Sequence, residues 1–491
     1  MEINRKKLIF IWVAVVLILL VGSNIFTYFA AGYLTGSNDE GQTKVIKFEP
    51  AKNGYDEDTE ILFETMDAIT NNYYTPVDQD ILIEGAVHGM IESLEDPQVQ
   101  YYDSEALNTF LLDTRGSYGG IGVRIIEVGD DVVVFETFAN TPAERQGLTP
   151  GDQIIEADGL DLSGKGIDFV VELLRGPANT SVDIVIKRPG ADEPIALTVD
   201  REEIRVTSVF SEMLEEGLGY IKINSFDSHT AEEFTSQFKA IEQSGLSKGL
   251  ILDVRDNPGG LVDQAVEIAK LLVPEGEIVR LVGRNEDVKT IYYSSAVKKP
   301  YPIVVLINEE SASSAELLAG ALQDRGAALL VGKTTFGKAS VQQLVYLSDD
   351  QAILLTMARY FTPSGRDIHK HGIEPDFEVD MPEILRYYRY FLPGQLERGH
   401  YGPDVEMLQM MLEQTGYTID VTGYFDEQTT RVLTDFQTAA GIKRSGVFDD
   451  QTWIQLREAL DIAARKQDDQ LNFALDLILK PGLWNITEGN D

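Results

Sequence analysis

The sequence predicts a multidomain α/β chain. Residues 204–397 alternate apolar strand-like runs with helical runs, residues 116–203 are β-rich and punctuated by glycine, and residues 398–460 carry a duplicated turn–helix motif. At 491 residues the chain has room for about three domains of ~150 residues each. Its apolar fraction of 43% is that of a folded chain rather than a disordered one.

Arg5, Lys6 and Lys7 precede an apolar run from Leu8 through Val21, which continues past a polar break at Gly22–Asn24 to about Leu34. Roughly 25 residues rising 1.5 Å each cross the hydrocarbon core of a bilayer. Basic residues before the run and Asp39 and Glu40 after it predict an inside amino terminus and an outside body. Residues 1–35 therefore read as an uncleaved anchor, in preference to a signal peptide cut near Ala30-Ala31-Gly32. Both readings place the body outside the cytoplasm, and the anchor also holds it at the cell membrane.

Residues 36–56 read as a polar tether, and 57–115 as a helical arm with Ile61, Phe63, Met66 and Ile69 at helical spacing. Within 116–203, strands are expected at Val123–Val128, Val132–Phe138, Gln153–Ala157, Ser181–Lys187 and Pro194–Val199, with helices at Pro142–Gln146 and near Ile167–Leu174. Over 204–397, Leu218–Ile223, Gly249–Val254 and Ile303–Ile307 are apolar enough for buried strands, and Val262–Leu272 and Ala315–Asp324 read as helices, which makes a layered α/β core. In the repeat, Gly423-Tyr-Phe-Asp426-Glu-Gln-Thr429 recurs as Gly446-Val-Phe-Asp449-Asp-Gln-Thr452, each Asp placed to cap the helix that follows. Residues 461–491 read as a helical tail.

Composition narrows the chemistry. Forty-one basic against 80 acidic residues give a net charge of −39, which argues against nucleic acid as a partner. The absence of cysteine removes disulfides and thiol nucleophiles, and five histidines leave little for a metal centre, so no cofactor or metal is expected. A serine nucleophile then needs a base other than histidine. Lysine serves if it is neutral, which requires its pKa to fall by ~3 units in apolar surroundings without a carboxylate partner. Lys338 meets that description, lying between Phe336-Gly337 and the apolar run Val341–Leu347 with no acid within ten residues; Lys333 is its rival. Gln342, four residues on, shares a face with Lys338 on an extended strand. Ser311, Ser313 and Ser314 cluster where the strand Ile303–Ile307 turns into a helix, and the residues alone leave the choice among them open, a plain helix cap included.

Tyr118-Gly119-Gly120-Ile121-Gly122-Val123, with Gly151-Asp152-Gln153-Ile154 and Asp158-Gly159, resembles a PDZ domain, in which Tyr118, Gly119, Gly120, Ile121 and Gly122 would form the carboxylate-binding loop. The repeat, with Leu408-Gln409, Phe436-Gln437 and Trp453, resembles a small three-helix peptidoglycan-binding module. Ser311-Ala-Ser313-Ser-Ala-Glu316, Thr335-Phe-Gly-Lys338 with Val341-Gln342, Asp253-Val-Arg255-Asp-Asn257-Pro-Gly259-Gly260 and Tyr360-Phe-Thr-Pro-Ser-Gly-Arg366 together resemble the carboxyl-terminal processing proteases.

The resemblance covers roughly residues 57–385. It implies a serine endopeptidase with Ser313 as nucleophile, Lys338 as general base and Gln342 positioning it. The N–H of Ser314 and one at Gly259-Gly260 would form the oxyanion hole. Arg175 would couple occupancy of the PDZ domain to activity, and the partners implied are a peptide with a free C-terminus and a second copy of the chain. Two departures stand out: Asp96-Pro-Gln98-Val replaces the family's usual Asp-Pro-His-Ser, and Ser314-Ala315 its commoner Ala-Ser. The alternatives are a silent wall-anchored PDZ scaffold, or a penicillin-binding enzyme. The latter needs more than the Ser-x-x-Lys matches at Ser236–Lys239 and Ser295–Lys298, because no Ser-Asp-Asn or Lys-Thr-Gly accompanies them.

Overall fold

The computed structural model describes residues 46–47 and 57–480, apart from 129–130, 189–190, 192, 216, 348–349, 383, 388–391 and 393–394. Among these residues no helix is long and apolar enough to cross a membrane. The expected anchor, 1–35, and all but two residues of the tether lie outside the described residues.

The chain divides into two compact units. The smaller comprises residues 1–103 and 342–356. Its described part holds the helices Glu57–Asn72 and Gln79–Glu92, the strand Gln100–Tyr102 antiparallel to 352–354, and Ile46–Lys47 parallel to 345–346. Asp78 caps the second helix through the Asp80 N–H. Ile61, Phe63, Ile81 and Met90 remain exposed on the two helices.

The larger unit is built on a six-stranded sheet in the order Val209–Glu215, Leu218–Ile223, Gly249–Asp253, Ile303–Ile307, Leu329–Gly332 and Phe377–Glu378. After the first hairpin the strands run parallel, and the apolar runs Gly249–Asp253 and Ile303–Ile307 are buried along their whole length. Burial on both faces is what such unbroken apolar strands require. The helices Thr230–Gln243, Val262–Leu272 and Ser314–Asp324 cover one face, supplying Phe234, Phe238, Ile268, Leu318 and Leu322 to its core. The other face is closed by the helix Asp469–Leu479, whose Ala474, Leu477 and Ile478 pack on Leu218, Ile251, Val304 and Val331.

Sequence periodicity misses the first helix of this set and the strands Val209–Glu215, Gly276–Gly283 and Val288–Ser294, whose burial patterns are irregular.

An arginine cluster holds the closing helix in place. Arg255 is buried at the end of its strand and pairs with Asp253 at 2.6 Å and with Asp468, the N-cap of the closing helix, at 2.9 Å; its Nη1 also reaches Gln470. Tyr220 donates to Asp253 at 2.7 Å. Burial alone would raise the Asp253 carboxyl, but the Arg255 guanidinium outweighs it and holds the group at about 2.

The β-rich segment forms a six-stranded sheet with the main order Val123–Val128, Asp131–Thr137, Gln153–Ala157, Ser181–Lys187, Ile195–Asp200, in which Leu160–Asp161 pairs with Gln153–Ala157. The expected loop at Tyr118–Gly122 is only partly a loop. Ser117–Gly120 is a strand, antiparallel to Glu202–Arg205. Its glycines serve close packing: a Cβ on Gly119 would lie 2.0 Å from the Gly176 carbonyl.

The repeat module has the three expected helices, Pro403–Gln414, Glu427–Ala439 and Asp450–Gln467. In each repeat the Asp caps its helix, Asp426 through the Thr429 N–H and Asp449 through the Thr452 N–H. Equivalent buried glutamines, Gln409 and Gln437, hold the turns by accepting from the N–H groups of Gly423 and Gly446. Its core also takes in Ile384, Leu392 and Leu396, so the module packs with residues upstream of 398.

Arg255→Met is expected to destabilise the protein by about 3–5 kcal/mol at pH 7, because it leaves two buried carboxylates unpaired. The depressed Asp253 contributes stability that is present above the unfolded carboxyl pKa of about 4 and is lost as pH falls toward about 2. Urea unfolding at pH 7 and pH 3 checks both points: the gap between wild type and variant must shrink at the lower pH.

Candidate active site

The three clustered serines have different surroundings. The Ser311 hydroxyl donates to the Val254 carbonyl at 2.7 Å, and that of Ser314 to the Gly260 carbonyl at 2.8 Å. Ser313 is the one whose hydroxyl proton is not given to a carbonyl. It caps the helix Ser314–Asp324 from a left-handed backbone conformation, φ 53° and ψ −114°. A non-glycine residue held there stores about 1–3 kcal/mol of strain, which surrounding contacts must sustain.

Those contacts converge on Glu316, a fully buried side chain. Its Oε2 accepts from the backbone N–H groups of Ser313 and Lys338, both at 2.8 Å. Its Oε1 accepts from the Gly337 N–H at 2.7 Å and the Thr335 hydroxyl at 2.5 Å. One carboxylate thus joins the serine turn to the lysine segment. Burial pushes the Glu316 carboxyl above its usual range, against these four hydrogen bonds, which favour the charged form. The buried Tyr360 adds a second tie, its hydroxyl donating to the Ser313 carbonyl at 2.8 Å with the Lys338 carbonyl 3.2 Å away. The far end of the serine helix is anchored by Asp324, which accepts from the Ser364 N–H at 2.9 Å.

Lys338 is half-buried beside this carboxylate. No acid lies near it in sequence, yet folding brings one to its backbone. Its rival Lys333 is ruled out as a base: Asp380 and Glu378 bind its ammonium at 2.6 and 2.9 Å, and those bonds raise its pKa. Gln342 lies in the smaller unit, where its side-chain amide donates to the Gln98 carbonyl. That bond falls at one of the two positions where the sequence departs from the family pattern.

The glycine pair faces the serine turn. A Cβ on Gly259 would lie 2.7 Å from the Ser313 Cβ and 3.0 Å from the Ser314 nitrogen, so only glycine leaves that N–H uncovered. The Gly259 N–H is committed to Asn257 Oδ1 at 2.8 Å. The Gly260 and Ser314 N–H groups donate no hydrogen bond among the described residues.

In the β-rich domain, Val123–Val128 is an edge strand next to the helix Ile167–Leu174. The N–H groups of Ile121 and Gly122 at the head of this strand donate to nothing among the described residues. Arg175, at the end of the helix, lies over the Tyr118 ring at 4.7 Å, which joins two residues that the sequence singles out separately. Sequence reasoning gave no role to Glu316, Thr335 or Tyr360. Glu316 was legible only as a motif position and as an acid in the first turn of a helix.

Glu316→Gln puts an amide NH₂ against two of the donors whichever way it is turned. Cleavage is expected to fall at least about 100-fold and stability by about 3 kcal/mol. Steady-state kinetics with urea unfolding checks this, and a wild-type kcat in this variant would contradict it.

Comparison with known proteins identifies the family. Residues 217–379 match the model of peptidase family S41, 139–188 that of a PDZ domain, 401–456 that of a putative peptidoglycan binding domain, and 19–106 that of the activating protease CtpB N-terminal domain. The carboxy-terminal processing protease CtpA of Bacillus subtilis (strain 168) is 32% identical over 441 residues, 90% of this chain and 94% of that protein. CtpB of the same organism is 32% identical over 475 residues, 94% of this chain and 98% of that protein. Among solved structures, the photosystem II D1 C-terminal processing protease is 31% identical and covers 67% of this chain and 95% of its own, with a TM-score of 0.41. The chain belongs to peptidase family S41, the carboxy-terminal processing serine proteases, and carries a PDZ domain and a peptidoglycan-binding module.

Proposed function

We propose that this protease is a membrane-anchored, extracytoplasmic endopeptidase that takes substrate C-termini at its PDZ domain and cuts through a Ser313–Lys338 dyad. The carrying observation is that Ser313, the serine of the cluster with an uncommitted hydroxyl proton, shares a single carboxylate oxygen with the backbone of Lys338. Neutral Lys338 takes the proton from the Ser313 Oγ as it attacks the peptide carbonyl. The oxyanion is met by the N–H groups of Ser314 and Gly260, with the N-terminus of the serine helix behind them. Within the Gly259-Gly260 pair the engaged N–H of Gly259 favours Gly260 for this role. The tetrahedral adduct expels the amine, which leaves with the proton held by Lys338. Lys338, again neutral, then draws a proton from the water that attacks the acyl-enzyme and returns it to the Ser313 Oγ as the ester bond breaks and the acid product leaves.

The uncommitted N–H groups of Ile121 and Gly122, beside an edge strand, suit capture of a terminal carboxylate with the peptide added as a further strand. The stacking of Arg175 on Tyr118 supports a relay from this groove, since the Tyr118 strand pairs with Glu202–Arg205 on the way into the protease core. The exposed Ile61, Phe63, Ile81 and Met90 suit contact with a second copy of the chain. Residues 1–35 hold the protein at the membrane, and the repeat module binds the cell wall.

The test is cleavage of an unfolded model protein by the soluble fragment beginning near Asp39. Wild type is expected to cleave, and Ser313→Ala and Lys338→Ala to lose at least about 1,000-fold in kcat. Equal cleavage by all three would refute the dyad. Wild-type activity should fall as pH drops through the pKa of the lysine, because only the neutral amine accepts the proton.

A further inference from the structure

Ser340 opens the strand that follows the proposed base, two residues beyond Lys338. It is 6% exposed, and its Oγ has no hydrogen-bond partner among the described residues. A buried hydroxyl left unpaired costs about 1–3 kcal/mol, and alanine would fill the same site without that penalty. The direction of its side chain suggests a use for such a group. Ala339 is fully buried in the core between the sheet and its helices, and Val341 packs against the same core. Between these two residues Ser340 turns away from that core, and Lys338 lies just before the strand, two residues from Ser340, where its long side chain can reach the hydroxyl.

The backbone here has little freedom. The Lys338 N–H is bound to Glu316, the Ala339 carbonyl accepts the Tyr360 N–H at 2.9 Å, and the Tyr360 hydroxyl lies 3.2 Å from the Lys338 carbonyl.

The geometry points to Ser340 as a positioning residue for the lysine, a reading that rests on the proposed dyad. Its hydroxyl oxygen accepts a hydrogen bond from Nζ of Lys338 when the site closes on substrate, which leaves the amine lone pair directed at Ser313. A neutral amine has two N–H groups to place besides its lone pair. Their acceptors must be uncharged, since a carboxylate there would hold the lysine as ammonium and end its use as a base. A shielded hydroxyl meets both demands. Catalytic hydrogen bonds that are open in a free enzyme commonly close only in the complex with substrate.

The test measures kcat and KM against pH for the full-length chain as wild type, Ser340→Ala, Ser340→Thr and Lys338→Ala, with melting curves for each. Ser340→Ala is expected to lower kcat about tenfold, the loss of one orienting hydrogen bond, with KM unchanged. It should also move the acid limb of kcat to lower pH, because an acceptor that favours the ammonium form has gone. Its melting temperature should hold or rise, and Ser340→Thr should restore kcat. A Ser340→Ala enzyme with the kcat and acid limb of wild type overturns the proposal. So does one whose loss of activity follows a fall in melting temperature with the acid limb unmoved. If Lys338→Ala is itself active, the dyad reading fails, whereas an inactive Lys338→Ala beside a fully active Ser340→Ala overturns the role of Ser340 alone.

Discussion

The active region depends on one buried carboxylate and the donors gathered around it. Glu316 is removed from water and held by four hydrogen-bond donors: the N–H groups of Ser313, Gly337 and Lys338 and the hydroxyl of Thr335. A buried carboxylate is tolerated only when its lone pairs are met. The serine turn and the lysine segment, joined through Glu316 and Lys338 at a separation of 22 residues, therefore order together or not at all. The same bonds sustain the left-handed backbone at Ser313, and Tyr360 adds a tie on the carbonyl side. The geometry of the proposed dyad is thus set by backbone groups that one buried side chain fixes.

A second buried network explains how the fold accepts an extra module. The chain leaves the core sheet after Phe377–Glu378 and returns at Asp468, where Arg255 receives it. Gln470, just after the return, donates to the carbonyl of Val379, just after the departure, at 2.8 Å. The ends of the insertion are thus hydrogen-bonded to each other, and a domain placed between such ends need not disturb the sheet. The closing helix then covers one face of that sheet. At Gly249 it comes so close that a Cβ would lie 2.6 Å from Ile478.

Much of this was legible in the sequence because it rests on local pattern. Leu218–Ile223, Val262–Leu272 and Ile303–Ile307 coincide with the elements their apolar runs announce, and the repeated Gly-x-Phe-Asp does cap two equivalent helices. What escaped depends on contacts distant in sequence. Choosing among Ser311, Ser313 and Ser314 without the family motif requires the carbonyls of Val254 and Gly260, more than fifty residues away. The lysine segment looked free of acid because its acid comes from a helix. The Ser117–Gly120 strand looks like a loop in sequence because its glycines resemble turn glycines, whereas Gly119 makes room for the backbone at Gly176.

The central claim is that Ser313, activated by Lys338, becomes acylated during cleavage. Rapid acid quenching of the enzyme with a reactive ester substrate, followed by peptide mapping by mass spectrometry, tests it most directly. The account predicts an acyl group on Ser313 alone, formed faster as pH rises through the pKa of the lysine and absent in Lys338→Ala. An acyl group on Ser311 or Ser314, or undiminished acylation in the lysine variant, would contradict it.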